Sequence, residues 1–398
     1  MKRKIVGDMA LNVIATAIPI AVLQLIILPM LSREMKGDEY GLVITFLSIF
    51  GIIPDALGNV LNNIRLIYND RYCEKRIAGD FNIILSFMVI FDLIVITILT
   101  IYYEGSINTI NIIMMILASI LRLLKEYYIV FFRIIINYKA IVINNILMAL
   151  GYFIGYFLYC LTDYWQLIYV VAPAVSLIYI IYHCNLWKEP LSLTPLFKTT
   201  SVQTIWLFIS ALLARITTYA DRLVLYPLLG GTAVTVYFVA TILGKMISMI
   251  VGPVNSVVLT YLAKVKTKNN NIFKRAFISG SIICVIGYIF CVILSKPILG
   301  FLYPQYISEG LHYIFITTGT AVVGAQIGLI SPFIMKFFDM KWQIIINAGT
   351  AIAYVVICLI LLRLFGLIGF CIGTLLTNLI KMIIMIFIYI KCKEVEIE

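Results

Sequence analysis

Apolar residues run through this chain in twelve long blocks separated by short polar connectors. The blocks lie near 5–31, 40–66, 79–103, 107–132, 139–161, 165–187, 203–228, 232–261, 276–295, 310–335, 343–363 and 366–390. Each is close to or above the ~20 residues a helix needs to cross about 30 Å of hydrocarbon. Backbone in lipid must satisfy its own hydrogen bonds, so a continuous apolar block predicts a helix. A membrane barrel would show short alternating segments instead. The pattern predicts an all-α integral membrane protein with twelve spans.

Composition sharpens this. The chain is 63% hydrophobic and 12% charged, with a mean hydropathy of +1.06. Its charge is distributed by side. Counting connectors alternately, one side carries Lys2, Arg3, Lys4, Arg71, Lys75, Arg76, Arg133, Lys139, Lys188, Lys198, Lys264, Lys266, Lys268, Lys274, Arg275, Lys336, Lys341, Lys391 and Lys393, nineteen in all. The other carries Arg33, Lys36, Lys296 and Arg363. Nineteen against four places the first side, with both termini, in the cytoplasm. The net charge of +11 is thus mostly a topology signal and not a nucleic-acid patch. Trp165, Trp187, Trp206 and Trp342 fall at block ends, as an aromatic belt would.

Several function classes drop out. Lys2-Arg3-Lys4 resembles a signal-peptide n-region, but the apolar run to Leu31 is too long and lacks a small-residue cleavage site. It reads as an uncleaved first span. Cys73, Cys160, Cys184, Cys284, Cys291, Cys358, Cys371 and Cys392 are scattered without metal-ligand spacing and read as small core residues. His183 and His312 lie in different halves and suggest no metal site. The longest connectors, 188–203, 262–275 and 296–309, are too short for a folded soluble domain. There is no G-x-x-x-x-G-K-[ST] loop, so no ATP-driven cycle is expected of this chain. Any activity sits inside the helical bundle or on its rims, and no cofactor is expected.

The two halves echo each other. Lys188-Glu189-Pro190 and Pro195 interrupt the pattern after six spans, predicting lobes 1–192 and 193–398. Ile27-Leu28-Pro29-Met30-Leu31, Tyr40 and Pro54 match Leu225-Tyr226-Pro227-Leu228-Leu229, Tyr237 and Pro253. An even number of spans per half gives both copies the same orientation, related by a pseudo-two-fold along the membrane normal. The prolines predict kinks in the first two helices of each lobe.

Polar residues inside the blocks are the candidate site. The bases are Arg65, Arg122, Lys125, Arg215, Arg222, Lys245 and Lys381; the acids are Asp55, Asp92, Glu126 and Asp221. Charge at bilayer depth costs at least ~2.5–3.5 kcal/mol, so such groups face water or a partner. Arg122 and Glu126 are i,i+4 neighbours that could pair, and Asp221 and Arg222 could be solvated at a helix end. The bases outnumber the acids, which leaves two readings: structural ion pairs or a cationic interior surface. Helical spacing groups Arg122, Glu126 and Arg133 on one stripe with Lys125 beside it. Arg215 and Arg222 share a face. Thr374, Thr377, Asn378 and Lys381 form another stripe, and Asp55, Asn59 and Asn62 a third. If the stripes converge, the field favours an anionic ligand; arginine forks suit phosphate oxygens, and asparagines suit sugar hydroxyls. The expected ligand-contacting set is Arg122, Lys125, Arg215, Arg222, Lys245, Lys381, Asn59, Asn62 and Asn378. Asp55 is the better candidate for Na+ or H+ coupling, because Asn59 and Asn62 follow it on one face. Asp92 stands alone on an apolar helix, where a neutral acid and an arginine partner are equally open. Gly151-x-x-x-Gly155, Gly324-x-x-x-Gly328 and Gly369-x-x-x-Gly373 permit close helix packing within the chain.

Three stretches carry a family resemblance. One runs from Ala220-Asp221-Arg222-Leu223-Val224-Leu225 to Leu229-Gly230, then through Val236-Tyr237 and Lys245 to Pro253 and Leu262. The others are Gly300-Phe301-Leu302-Tyr303-Pro304-Gln305-Tyr306 and Asp38-Glu39-Tyr40-Gly41. With the twelve spans, the chain resembles the O-antigen, Wzx-type polysaccharide flippases of the multidrug/oligosaccharidyl-lipid/polysaccharide (MOP) transporter superfamily over its whole length. The resemblance implies a non-enzymatic flippase in the bacterial inner membrane. Its substrate would be an undecaprenyl-diphosphate-linked oligosaccharide, moved from the cytoplasmic to the outer leaflet by alternating access through a cationic lumen. It also implies the lipid bilayer and other polysaccharide assembly proteins as partners. Two alternatives stand: a drug/ion antiporter of the same superfamily, expected to favour an acidic cavity, and a membrane polymerase or glycosyltransferase, expected to carry a long external loop or a catalytic acidic motif.

Overall fold

The computed structural model describes residues 16–105, 107–245, 270–338 and 340–391, and every extended element in them is a helix. α1 spans Thr16–Glu34. α2 (Gly37–Ile52) and α3 (Pro54–Lys75) follow, then α4 (Asp80–Glu104), α5 (Thr109–Tyr128) and the short α6 (Val130–Ile134). α7 (Tyr138–Thr162) and α8 (Gln166–His183) come next. α9 spans Phe197–Leu229 and α10 Gly231–Lys245. α11 (Asn270–Leu302), α12 (Ile307–Phe337) and α13 (Met340–Lys391) complete the chain. Eight described helical stretches are long and apolar enough on their own to cross a membrane. The protein is a multi-pass membrane protein.

Breaks in these helices have local causes. α1 widens to a π-helical turn over Leu23–Ile27 just before Pro29. α2 and α3 form one expected span interrupted at Ile53 (φ −95°, ψ −75°), because Pro54 has no N–H to continue the ladder. Pro253, the expected counterpart, lies outside the described residues. α13 holds two expected spans. Fifty-two helical residues would reach roughly 78 Å, more than twice the hydrocarbon thickness. The chain turns at Gly366, whose φ of 62° and ψ of −142° suit a residue without a Cβ. Its arms then pack closely: a Cβ on Gly373 would meet the backbone and sulfur of Cys358 at 3.0 Å.

The chain forms two compact units, Met1–Gly231 and Thr232–Glu398. The division falls a helix later than the 192/193 boundary read from the connectors, because α9 packs along α2 and α3. Unit 1 is centred on Leu57, Leu61, Ile64, Phe81, Leu123, Tyr127 and Phe132. Unit 2 is centred on an aromatic cluster in which Phe273 stacks on Tyr389 at 3.8 Å with Phe333 edge-on. Outward faces are apolar, as on α4, where Phe87, Ile94 and Ile98 are exposed. Buried hydroxyls return hydrogen bonds to their own helices, including Thr45 to Gly41 O, Thr100 to Ile96 O and Thr377 to Gly373 O. Of the small-residue pairs, Gly151 and Gly155 bring α7 against the backbone of Ala172 and Ile168 on α8.

Candidate functional site

The polar stripes of unit 1 meet where α3, α5 and α9 approach. α3 and α5 pack closely because Gly58 has no side chain; a Cβ there would stand 2.6 Å from Glu126 Cβ and Leu123 O. This brings Asp55 to Arg122. The guanidinium donates twice to the carboxylate, Nε to Oδ1 at 3.0 Å and Nη2 to Oδ2 at 2.6 Å. The ring of Phe50 lies 5.5 Å from the Arg122 guanidinium carbon. Lys125 donates to Glu126 Oε1 at 2.8 Å. The i,i+4 partnership of Arg122 with Glu126 thus gives way to a fork across two helices, since a bidentate carboxylate pair is the stronger geometry.

The asparagines hold arginine and backbone. Asn62 is buried; its Nδ2 donates to Glu126 O at 2.9 Å and its Oδ1 accepts from Arg133 Nη1 at 2.5 Å. Asn63 Oδ1 also accepts from Arg133, at 3.1 Å, while Asn63 Nδ2 donates to Asn59 Oδ1 at 3.0 Å. The oxygen-rich ion set expected from Asp55, Asn59 and Asn62 is therefore not what this structure contains: each of the three spends oxygens on a protein donor. Arg133, counted among the connector bases and placed by helical spacing on the stripe of Arg122 and Glu126, belongs to the cluster.

α9 brings two more bases. The break before Pro54 leaves carbonyls of the last α2 turn without helical donors. Arg215 Nη1 donates to one of them, Gly51 O, at 2.5 Å. Arg222 Nη1 donates to Ser48 Oγ at 2.9 Å. Arg215 and Lys125 both lie within electrostatic reach of Asp55. The group formed by Asp55, Arg122, Lys125, Glu126, Arg133 and Arg215 holds four bases and two acids, a formal excess of two positive charges.

Asp92 stands apart. It is fully buried on α4, and Ser119 Oγ donates to its Oδ2 at 2.6 Å, while Oδ1 has no hydrogen-bond partner among the described residues. No base lies within 4 Å of it among the described residues, so the arginine partner is not formed.

A strap closes one end of unit 1. Arg65, over the ring of Phe81, forks onto Glu189 at 2.6 and 2.7 Å. Asp80 accepts from the Tyr72 hydroxyl at 2.6 Å, from Thr194 N at 2.8 Å and from the Thr194 hydroxyl. These contacts fix the segment that joins α8 to α9. Arg65 is thus a structural base, and nothing in the sequence near it pointed to a partner 124 residues away.

In unit 2, Lys381 Nζ donates to Asn347 Oδ1 at 3.1 Å, and Asn378 Nδ2 donates to Thr320 O at 3.2 Å. Lys245 lies 5.6 Å from the ring of Phe238. Among the described residues neither lysine has a carboxylate within 4 Å. No group of three or more His, Cys, Asp or Glu among the described residues could hold a metal ion.

This chain and its arrangement of helices have known relatives. Residues 10–266 match the family described as polysaccharide biosynthesis protein. The chain belongs to that family. No curated protein matches the sequence. Among solved structures, lipid II flippase MurJ in an inward closed conformation is 14% identical, covers 95% of this chain and 87% of its own, and has a TM-score of 0.75. An inward-facing multidrug resistance MATE family transporter of the MOP superfamily is 13% identical, with coverage of 95% and 98% and a TM-score of 0.66. An outward-facing one gives 14%, 94%, 93% and 0.58. Identities this low speak for the fold alone: the protein has the all-α, two-lobed MOP-type membrane fold.

Proposed function

We propose that the protein is a flippase that carries an undecaprenyl-diphosphate-linked oligosaccharide from the cytoplasmic to the outer leaflet of the bacterial inner membrane, with both termini in the cytoplasm. The observation that carries this reading is the excess of bases over acids among the polar groups of the helical bundle. Arg133 and Arg215 in unit 1, and Lys245 and Lys381 in unit 2, have no carboxylate within 4 Å among the described residues. Partly exposed bases of this kind suit a doubly anionic diphosphate. The family membership and the fold shared with a lipid II flippase support the same reading.

An antiporter of cationic drugs is less well supported. Such a cargo needs free acids, and Asp55 and Glu126 are already held by Arg122 and Lys125. Coupling to Na+ or H+ is proposed to run through Asp92 in preference to Asp55, because Asp92 has an oxygen with no hydrogen-bond partner among the described residues.

The test is flipping of the lipid-linked oligosaccharide in reconstituted vesicles. Wild type flips it; Arg215→Ala and Lys381→Ala lose most of the rate at equal protein levels. Full activity in both variants overturns the reading. An imposed sodium or proton gradient should change the wild-type rate, and Asp92→Asn should abolish that response.

A further inference from the structure

Arg133 is held differently from the arginines that serve structure. Arg65 and Arg122 each face both oxygens of a carboxylate. Arg133 is gripped through one nitrogen only, Nη1, by the side-chain carbonyls of Asn62 and Asn63. Those acceptors orient the guanidinium without neutralising it. They are themselves fixed: Asn62 is 3% exposed and tied to Glu126 O, and Asn63 is tied to Asn59. The short α6 that carries Arg133 is pinned by the buried Val130 and Phe132. Nε and Nη2 make no hydrogen bond among the described residues, and the side chain is partly exposed. That edge of an arginine matches two oxygens of a phosphate.

The geometry points to Arg133 as a substrate-contacting residue for a diphosphate. It lies eleven residues from Arg122, roughly 16 Å along the helix direction. It would meet the headgroup at the connector end of unit 1, before the Arg122 and Lys125 group. This rests on the flippase reading. A phospholipid headgroup offers the same phosphate chemistry, and the experiment separates the two sources.

The probe is undecaprenyl diphosphate titrated into the full-length protein in zwitterionic nanodiscs, read by intrinsic fluorescence. Arg133→Gln should weaken binding by about tenfold or more, the scale of a lost charge-assisted fork. Arg133→Lys keeps the charge but not the fork and should fall between. Asn62→Leu with Asn63→Leu should weaken binding severalfold although Arg133 is intact, because the guanidinium loses its orientation. Melting temperatures are read alongside. If Arg133→Gln does not fold, Arg133→Lys decides: it must melt like wild type and still bind less well. No binding by wild type overturns the flippase reading and this inference with it. Wild-type binding that Arg133→Gln and Arg133→Lys leave unchanged overturns this inference alone. Phosphatidylglycerol that gives the same fluorescence titration as undecaprenyl diphosphate would show a bilayer-headgroup site and also overturn it.

Discussion

Breaking the Asp55–Arg122 fork should destabilise unit 1 unequally from its two ends. The side chains are 11% and 17% exposed, and the contacts are 2.6 and 3.0 Å. Two unit charges about 4 Å apart at an effective dielectric of about 20 attract by roughly 4 kcal/mol. Removing one partner of a buried pair costs about 3–5 kcal/mol, since the other is left uncompensated. Asp55→Ala strands Arg122 and also removes the counter-charge within reach of Arg215 and Lys125, so a loss near ~4 kcal/mol is expected. Arg122→Leu leaves Asp55 with those two bases in its field, so its loss should be smaller, about 2 kcal/mol. The double variant should cost about as much as Asp55→Ala alone, giving a coupling energy of roughly 2 kcal/mol. Reversible unfolding in bicelles measures all four corners of the cycle. Additive losses within about 0.5 kcal/mol, or a larger loss for Arg122→Leu than for Asp55→Ala, would refute the pairing and the charge arrangement around it.

Two further outcomes follow from other features. Ile136 adopts a left-handed conformation (φ 55°) at the turn that closes α6, where Asn137 N donates to Phe132 O at 2.8 Å. A β-branched residue is strained there, so Ile136→Gly should raise stability by about 0.5–1 kcal/mol in the same unfolding assay, and a lower stability would show the turn is not strained. Single cysteines placed at 104–108 and 296–309 should label from outside the cell, and those at 262–275 only after permeabilisation; outside labelling at 262–275 would contradict the charge-based orientation.

The helices were legible because lipid imposes one rule, long apolar runs, on every span. α13 shows the limit of that rule. Hydropathy separated its two spans at 363–366, yet only the backbone of Gly366 shows how a continuous helical run turns there. The site was legible as composition and less so as pairing. The stripes on α3, α5 and α9 held the residues that meet, and Arg122, Lys125, Arg215 and Asp55 do cluster. The true partners were hidden because a sequence displays only i,i+3 and i,i+4 geometry. Arg122 and Asp55 are 67 residues apart, and Arg133 and Asn62 are 71 apart. Asn59 and Asn62 looked like ligands because a polar residue in an apolar helix invites a ligand; their amides instead satisfy Asn63, Arg133 and a backbone carbonyl. Asp92 remained ambiguous in sequence because its partner is a serine hydroxyl, which carries no charge signal.

The acids and amides of unit 1 serve chiefly to aim its bases. Asp55 fixes Arg122, Glu126 fixes Lys125, and two asparagines fix Arg133. Aiming by a carboxylate cancels charge; aiming by an amide or a backbone carbonyl does not. Arg133 and Arg215 are aimed in the second way, so their charge persists. Arg215, inside a span, carries an insertion cost of about 2.5–3.5 kcal/mol at bilayer depth, and Arg133, at a connector end, a smaller one. An anion that engages them recovers some of that cost, so a diphosphate should stabilise the folded protein as well as occupy it. That distinguishes a binding surface from a set of residual ion pairs. A surface built from satisfied pairs would gain nothing from an added anion, whereas this one should melt at a higher temperature as undecaprenyl diphosphate is titrated in. The shift should shrink when Arg133 or Arg215 is neutralised and survive when Arg65, already matched by Glu189, is replaced together with its partner.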